Sequence, residues 1–216
     1  MTFDLAYALQ ILPRLLEGAL VTIQATLGGM AFAVIGGLLL VIARLSRFAI
    51  VRYPAAFFVE FVRSTPLVIQ LFLVFYVFPR YGVVLSPFVA GVLALGLHYS
   101  CYTSEVYRAG IAAVPKGQWE AAVALNFSLS RTWLRIILPQ AVRSSVPVLG
   151  NYLIAMFKET PVLFTISVHE LLFAALSEAT QSYRYYEPIT LVGLIFLVIS
   201  LVSSVAVRRL EKLARD

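Results

Sequence analysis

Charged residues inside otherwise apolar stretches are where this sequence places its chemistry. Lys158 and Glu159 follow the apolar run Ser144–Phe157, and a charge at a bilayer centre costs about 2.5–3.5 kcal/mol on insertion scales. Adjacent helical residues do not face one another, so the two cannot pair while the segment stays helical. Glu159 suits the cationic part of a zwitterionic solute. Lys158 suits a structural counter-ion role or the solute carboxylate. Tyr99 and Tyr102 offer aromatic faces to a cation, although interface anchoring or core packing accounts for either one alone. Glu60 with Arg63, and Glu105 with Arg108, stand three residues apart and share helix faces. Each pair reads as a structural charge that neutralises itself near a membrane boundary. In His169-Glu170, Phe173 stands where a zinc site needs its second histidine. His98 and His169 are too few for a metal centre, and each reads as a satisfied polar residue.

The elements that must position these groups are membrane spans. The chain has 216 residues, of which 61% are hydrophobic and 13% charged, and its mean hydropathy is +0.89. Soluble domains are roughly 45–50% apolar and about 25% charged, so this is an integral membrane protein of one domain, residues 1–216. The net charge of +6 belongs to basic loops rather than to nucleic-acid binding. Cys101 stands alone and excludes an internal disulfide.

A spanning helix needs about 20 mostly apolar residues. Gly18–Ala43 is uncharged and the clearest span. Ser64–Pro79 reaches spanning length only if Tyr53–Arg63 joins the same helix. The third span runs over Ser86–Tyr107. The fourth begins at Ser144 and passes through Lys158, Glu159 and a kink at Pro161, and the fifth covers Pro188–Val207. Pro147, Gly150 and Pro161 punctuate the fourth, and interrupted helices near the midplane are where transporters build sites. Met1–Glu17 lacks a signal-peptide pattern, and Pro13 breaks what reads as an amphipathic lead-in lying at the interface. Twelve of the 17 basic residues fall after spans one, three and five. Basic loops stay inside, which puts the N-terminus outside and the C-terminus in the cytoplasm. Gly28, Gly29, Gly36 and Gly37 permit close helix approach, within the chain or across a dimer.

The loop from about 110 to 143 has its own pattern. Trp119, Ala122, Val123 and Phe127 recur at helical spacing. A second helix, Ser130–Leu138, is expected to bury Trp133, Ile136 and Ile137 and to stop before Pro139. Such a pair either lies on lipid or docks a cytoplasmic partner, and composition does not separate the two.

Glu120-Ala121-Ala122, Asn126 and Ile137-Leu138-Pro139 resemble the EAA loop of ATP-binding-cassette (ABC) importer permeases. Asn126 replaces that loop's usual glycine, and Asn tolerates a left-handed backbone better than most residues. Glu60-Phe61-Val62-Arg63-Ser64-Thr65-Pro66-Leu67 with Gln70, Val114–Ala122, Leu149-Gly150-Asn151 and Lys158-Glu159-Thr160 are similar to polar amino-acid permeases. His98-Tyr99-Ser100, Ala124-Leu125-Asn126 and Asn151–Pro161 look most like the ectoine/hydroxyectoine group. The resemblance implies an all-α, type I importer-like permease in a bacterial inner membrane, working by alternating access. It also implies a second permease subunit, identical or homologous, two cytoplasmic ATPase subunits carrying ATP-Mg, and an external solute-binding protein. Gly117, Glu120, Ala121, Ala122 and Asn126 are the residues it assigns to ATPase coupling. The chain has no Gly-x-x-x-x-Gly-Lys-Ser/Thr phosphate loop, so it is expected to have no ATPase site and no bound cofactor of its own. The rival readings are a non-transporting membrane scaffold or assembly factor and, with less to support it, an intramembrane enzyme.

Overall fold

A computed structural model describes residues 3–215, so Met1, Thr2 and Asp216 at the ends of the expected domain lie outside it. Every regular element among the described residues is helical. Helix α1 covers Leu5–Arg44 in one run of 40 residues, with Asp4 as its N-cap accepting from the Tyr7 N–H. Pro13 lies inside this helix and does not break it, which corrects the expected separate lead-in. Ile11 and Leu15 on either side are buried against Leu171, Ala175 and Val192, and this packing holds the turn that Pro13 weakens by lacking an N–H.

The second apolar stretch is not one helix. α2 covers Ala49–Arg63 and α3 covers Leu67–Phe72, and the two arms are bent by 108°. The break is local chemistry. Pro66 disfavours a helical Thr65, and the Thr65 hydroxyl donates back to the Phe61 and Val62 carbonyls. A π-turn over Leu73–Val77 and a 3-10 turn over Phe78–Tyr81 finish this arm.

α4 covers Pro87–Ala112, capped by Ser86, whose hydroxyl accepts from the Val89 N–H. It lies along α1, with Gly28 against Val92, Gly29 against Leu95 and Gly37 against Thr103. A Cβ on Gly37 would meet the Thr103 Cβ at 2.7 Å, so the glycine pairs serve packing within this subunit. Small residues let backbones approach where lipid supplies no hydrophobic drive.

α5 (Lys116–Ala124) and α6 (Leu129–Thr132) form a short hairpin that enters α7 (Leu138–Glu159) through a π-turn, Trp133–Ile137. Pro139 was expected to end a helix here. Instead the Leu138 N–H bonds the Trp133 carbonyl five residues back, and the wider turn relieves the clash a proline ring makes with the carbonyl four back. The turn before Pro79 is built alike, with the Phe78 N–H on the Leu73 carbonyl. The fourth stretch thus begins at Leu138 rather than Ser144 and runs through Pro147. It breaks only after Glu159, where a 3-10 segment, Thr160–Ile166, leads to α8 (Leu171–Ser182). α9 covers Tyr186–Arg215.

Among the described residues, Leu5–Arg44 and Tyr186–Arg209 are long and apolar enough to cross a membrane, and counting each bent pair as one span gives four. The expected span missing from this count is the third, which corresponds to α4. It has 26 residues, about 39 Å at 1.5 Å per residue, but its apolar character is diluted by the buried His98, Ser100, Thr103 and Ser104. The main apolar core joins α1, α3, α4 and α7 around Ala25, Leu71, Leu95 and Met156. A second core joins the first half of α1 to α8 and α9.

Candidate functional site

The broken ends of two stretches converge on the middle of α4. Tyr99 sits almost fully buried there, and its hydroxyl donates to Glu159 Oε2 at 2.9 Å. Glu159 is the last residue of α7, where Pro161 and the 3-10 turn interrupt the helix. Tyr102, one turn beyond Tyr99, has its ring centroid 6.1 Å from that of Tyr99 and 6.0 Å from that of Tyr152. Tyr152 is 5.9 Å from Tyr99, and the Arg63 guanidinium lies over the Tyr102 ring at 5.3 Å. Three tyrosines, one cation and one carboxylate therefore meet where α2, α4 and α7 approach. A groove of about 440 Å³ runs from Tyr152 between α4 and α7, lined also by Glu105, Gly110 and Ser144.

The structure unites Tyr99 with Glu159 and places Tyr102 beside them through ring contacts. Lys158 is exposed and forms no ion pair or hydrogen bond among the described residues. Both expected charge pairs form, but they are joined into one network. Glu105 and Arg108 do pair, at 2.8 Å, but Glu105 also binds Arg44 at 2.6 Å and lies 3.7 Å from Arg63. Glu60 is a loose partner of Arg63, at 3.6 Å. One carboxylate thus ties three arginines from three helices, because Arg44 at the end of α1 reaches α4. Arg63 Nε is buried with no hydrogen-bond partner.

Tyr152, His98 and Gln70 also belong to this region, and sequence reasoning gave none of them a site role. Tyr152 was detectable, since it lies two helical turns before Glu159 on the same face. Gln70 connects the α2–α3 break to α4, with Nε2 donating to Val62 O at 2.7 Å and Oε1 3.1 Å from His98 Nδ1. Glu170, the second residue of the His169-Glu170 fragment, is buried and caps α8 by accepting the Leu172 and Phe173 N–H groups.

In the hairpin, Ala122 is buried, and Trp119 meets Trp133 edge-on with centroids 5.3 Å apart. Ile137 is buried and Ile136 half-buried. Val123 does not join this face and is 75% exposed. It lies next to Ala122, and adjacent helical residues point apart. Leu125, Leu129 and Leu134 are exposed as well. Asn126 takes φ +52° between the helices, the left-handed turn its side chain tolerates. Glu120 and Ala121 are exposed, and a Cβ on Gly117 would meet nothing within 4 Å.

An all-helical chain with long apolar helices, broken helices in its middle and ionisable groups gathered at the breaks is a multi-pass membrane protein built like a transporter. Residues 29–216 match the family described as the binding-protein-dependent transport system inner membrane component. The chain belongs to that family and is an inner-membrane protein. It is 44% identical to a probable amino-acid ABC transporter permease protein, y4tG, of Sinorhizobium fredii, over 95% of this chain and 89% of that protein. It is 37% identical to the L-cystine transport system permease protein TcyB of Bacillus subtilis, over 93% and 88%. A crystal structure of an amino acid ABC transporter with histidines superposes with a TM-score of 0.93 at 32% identity, covering 98% of this chain and 99% of that one.

Proposed function

We propose that the chain is a permease subunit of an ATP-driven importer for a polar amino acid, with Glu159 and the tyrosine cluster on the solute's path. The observation that carries the reading is the Glu159 carboxylate, held by Tyr99 at the end of a broken helix, in a chain of this family. Freed backbone and a charge at such a break suit a hydrated path. Glu159 meets the solute's ammonium or cationic side chain, the tyrosine faces support it, and Lys158 answers a carboxylate. The relatives reported above are named for amino acids and cystine, which favours an amino acid over ectoine or hydroxyectoine.

In this reading α1, the α2–α3 pair, α4, the α7–α8 pair and α9 are five spans, with the N-terminus outside and the C-terminus in the cytoplasm. The α5–α6 hairpin is the coupling element. Its exposed Val123, Leu125, Leu129 and Leu134 dock in a cytoplasmic ATPase subunit, with the exposed Gly117, Glu120 and Ala121 at the contact, the buried Ala122 packing the hairpin rather than the partner and Asn126 setting the turn. The partners are a second permease, two ATPase subunits carrying ATP-Mg and an external binding protein. Closure of the ATPase pair moves α7, which continues directly from the hairpin. A non-transporting scaffold gives no reason for charges gathered at helix breaks.

The test is ATP-driven uptake by the complete complex in proteoliposomes, offering labelled L-arginine, L-glutamine, L-glutamate, L-cystine and ectoine in turn. Uptake of an amino acid supports the reading. Uptake of ectoine alone changes the cargo, and uptake of none rejects transport of these solutes.

A further inference from the structure

We infer that His98 binds the transported solute, offering Nε2 as a hydrogen-bond acceptor to one of its nitrogen donors, and that Gln70 fixes which ring nitrogen is free. The inference rests on the amino-acid transport reading above.

The geometry starts at Gln70. Its Nε2 lies 2.7 Å from Val62 O, 3.1 Å from Thr65 O and 2.8 Å from Thr65 Oγ1. Two of these are carbonyl oxygens, which have no proton to give, so the amide nitrogen must occupy that side. Its oxygen therefore faces His98, with Oε1 3.1 Å from Nδ1. An amide oxygen only accepts, so Nδ1 carries the proton. In a neutral imidazole the other nitrogen is then the acceptor.

That acceptor is unused. His98 is 8% exposed, and Nε2 makes no hydrogen bond among the described residues. Nor is it sealed off, since the sealed, unpaired side-chain atoms among those residues are Arg63 Nε and Thr103 Oγ1. The ring stands 5.0 Å from Tyr102 and 5.6 Å from Tyr99, and Tyr99 in turn holds Glu159. The ionisable groups of this cluster are Arg63 from α2, Tyr99 and Tyr102 from α4, and Tyr152 and Glu159 from α7. A free imidazole acceptor separated from the Glu159 carboxylate by one tyrosine selects solutes rich in N–H, meaning an ammonium, a guanidinium or a side-chain amide. Gln70 is a positioning residue. It touches no solute but decides that His98 accepts rather than donates.

The chain has two histidines, which makes nitrogen-15 NMR a direct test. The assembled complex is prepared with only this chain carrying ¹⁵N-histidine, and His169→Asn assigns the two signals. The expected result is a His98 ring protonated at Nδ1, a preference lost in Gln70→Leu. Adding whichever of L-arginine, L-glutamine or L-cystine the complex transports shifts the His98 Nε2 resonance and leaves His169 unmoved. His98→Phe lowers uptake about tenfold, the size of one hydrogen bond to a charged donor, and His98→Asn, which keeps an acceptor, recovers part of it. A ring protonated at Nε2, or a resonance unmoved at saturating solute in a complex that transports it, overturns the inference and leaves the transport reading intact. Uptake of no amino acid overturns both.

Discussion

The α1–α8–α9 corner and the middle of α4 use polar groups in opposite ways. At the corner nearly every polar group closes a helix end. Asp4 accepts from Arg184 at 3.0 Å, its N–H donates to Glu187 at 3.1 Å, and the Tyr7 hydroxyl donates to Ser182 at 2.7 Å. Arg14 pairs with Glu178, Glu170 caps α8, and Leu15, Leu171 and Ala175 fill the space between. A cavity of about 710 Å³ lies there, lined by Tyr183, Arg184 and Glu187, and its charged groups are already paired. In the α4–α7 region the bookkeeping stays open: among the described residues Arg63 Nε is sealed without a partner, and neither the exposed Lys158 nor His98 Nε2 has one. Satisfied ends make a scaffold, whereas the proposed solute path draws on the unpartnered groups that are not sealed, Lys158 and His98 Nε2.

The sharpest way to break this contrast is one turn beyond Tyr102, at Glu105, where the ends of α1 and α2 meet α4. Glu105 neutralises Arg44, Arg63 and Arg108, and its side chain is only 20% exposed. Glu105→Ala leaves three arginines without their shared carboxylate and is expected to cost about 3–5 kcal/mol. Thermal unfolding in detergent reads the loss, and an unchanged midpoint would mean the network is idle. Leu171→Ala in the corner should cost about 2 kcal/mol by leaving a cavity, yet keep uptake per folded complex unchanged. A selective fall in uptake would show that the corner is more than scaffold.

The contrast was partly legible in the sequence. Uncharged runs give α1 and α9 because hydropathy over about 20 residues reports burial in lipid directly. Lys158 and Glu159 stood out because adjacent charges have no local remedy. The 108° break at Thr65–Pro66 was hidden, since apolar count along a segment ignores direction. Reading prolines as breaks mistook Pro13 and Pro139 for stops. Whether a proline ends a helix depends on neighbouring packing, or on a widened turn such as Trp133–Ile137. Arg44 was read as a loop charge because its reach to α4 exists only once α1 and α4 lie together, and Gln70 gains its role only across the α3–α4 contact.

Smaller effects sharpen the comparison. Tyr99→Phe removes the hydrogen bond to Glu159 while keeping the ring, a change of about 1 kcal/mol. Uptake should fall several-fold with the unfolding midpoint almost unmoved, and the reverse pattern would place the bond in the scaffold. The smallest effect belongs to Asp4. The Tyr7 N–H, and then the Arg184 guanidinium, hold its carboxyl below the ordinary value of 3.8. The stabilisation this gives is complete above that value and is lost as pH falls through the lower folded value. Asp4→Asn should therefore flatten the acid end of the stability curve below about pH 4, and a change in slope near neutrality would contradict this assignment.

The most direct test of the proposed solute path past the middle of α4 is the uptake rate of a Glu159→Gln complex. The variant keeps the shape of the side chain and an acceptor for Tyr99 but removes the charge. Complexes of equal yield and ATPase content, reconstituted with the binding protein, are compared at saturating ATP. The account predicts that uptake of the transported amino acid falls at least about tenfold, as expected when a charged hydrogen bond loses its charge, while assembly is unchanged. Uptake equal to that of the unaltered protein would remove Glu159 from the path and the proposal with it.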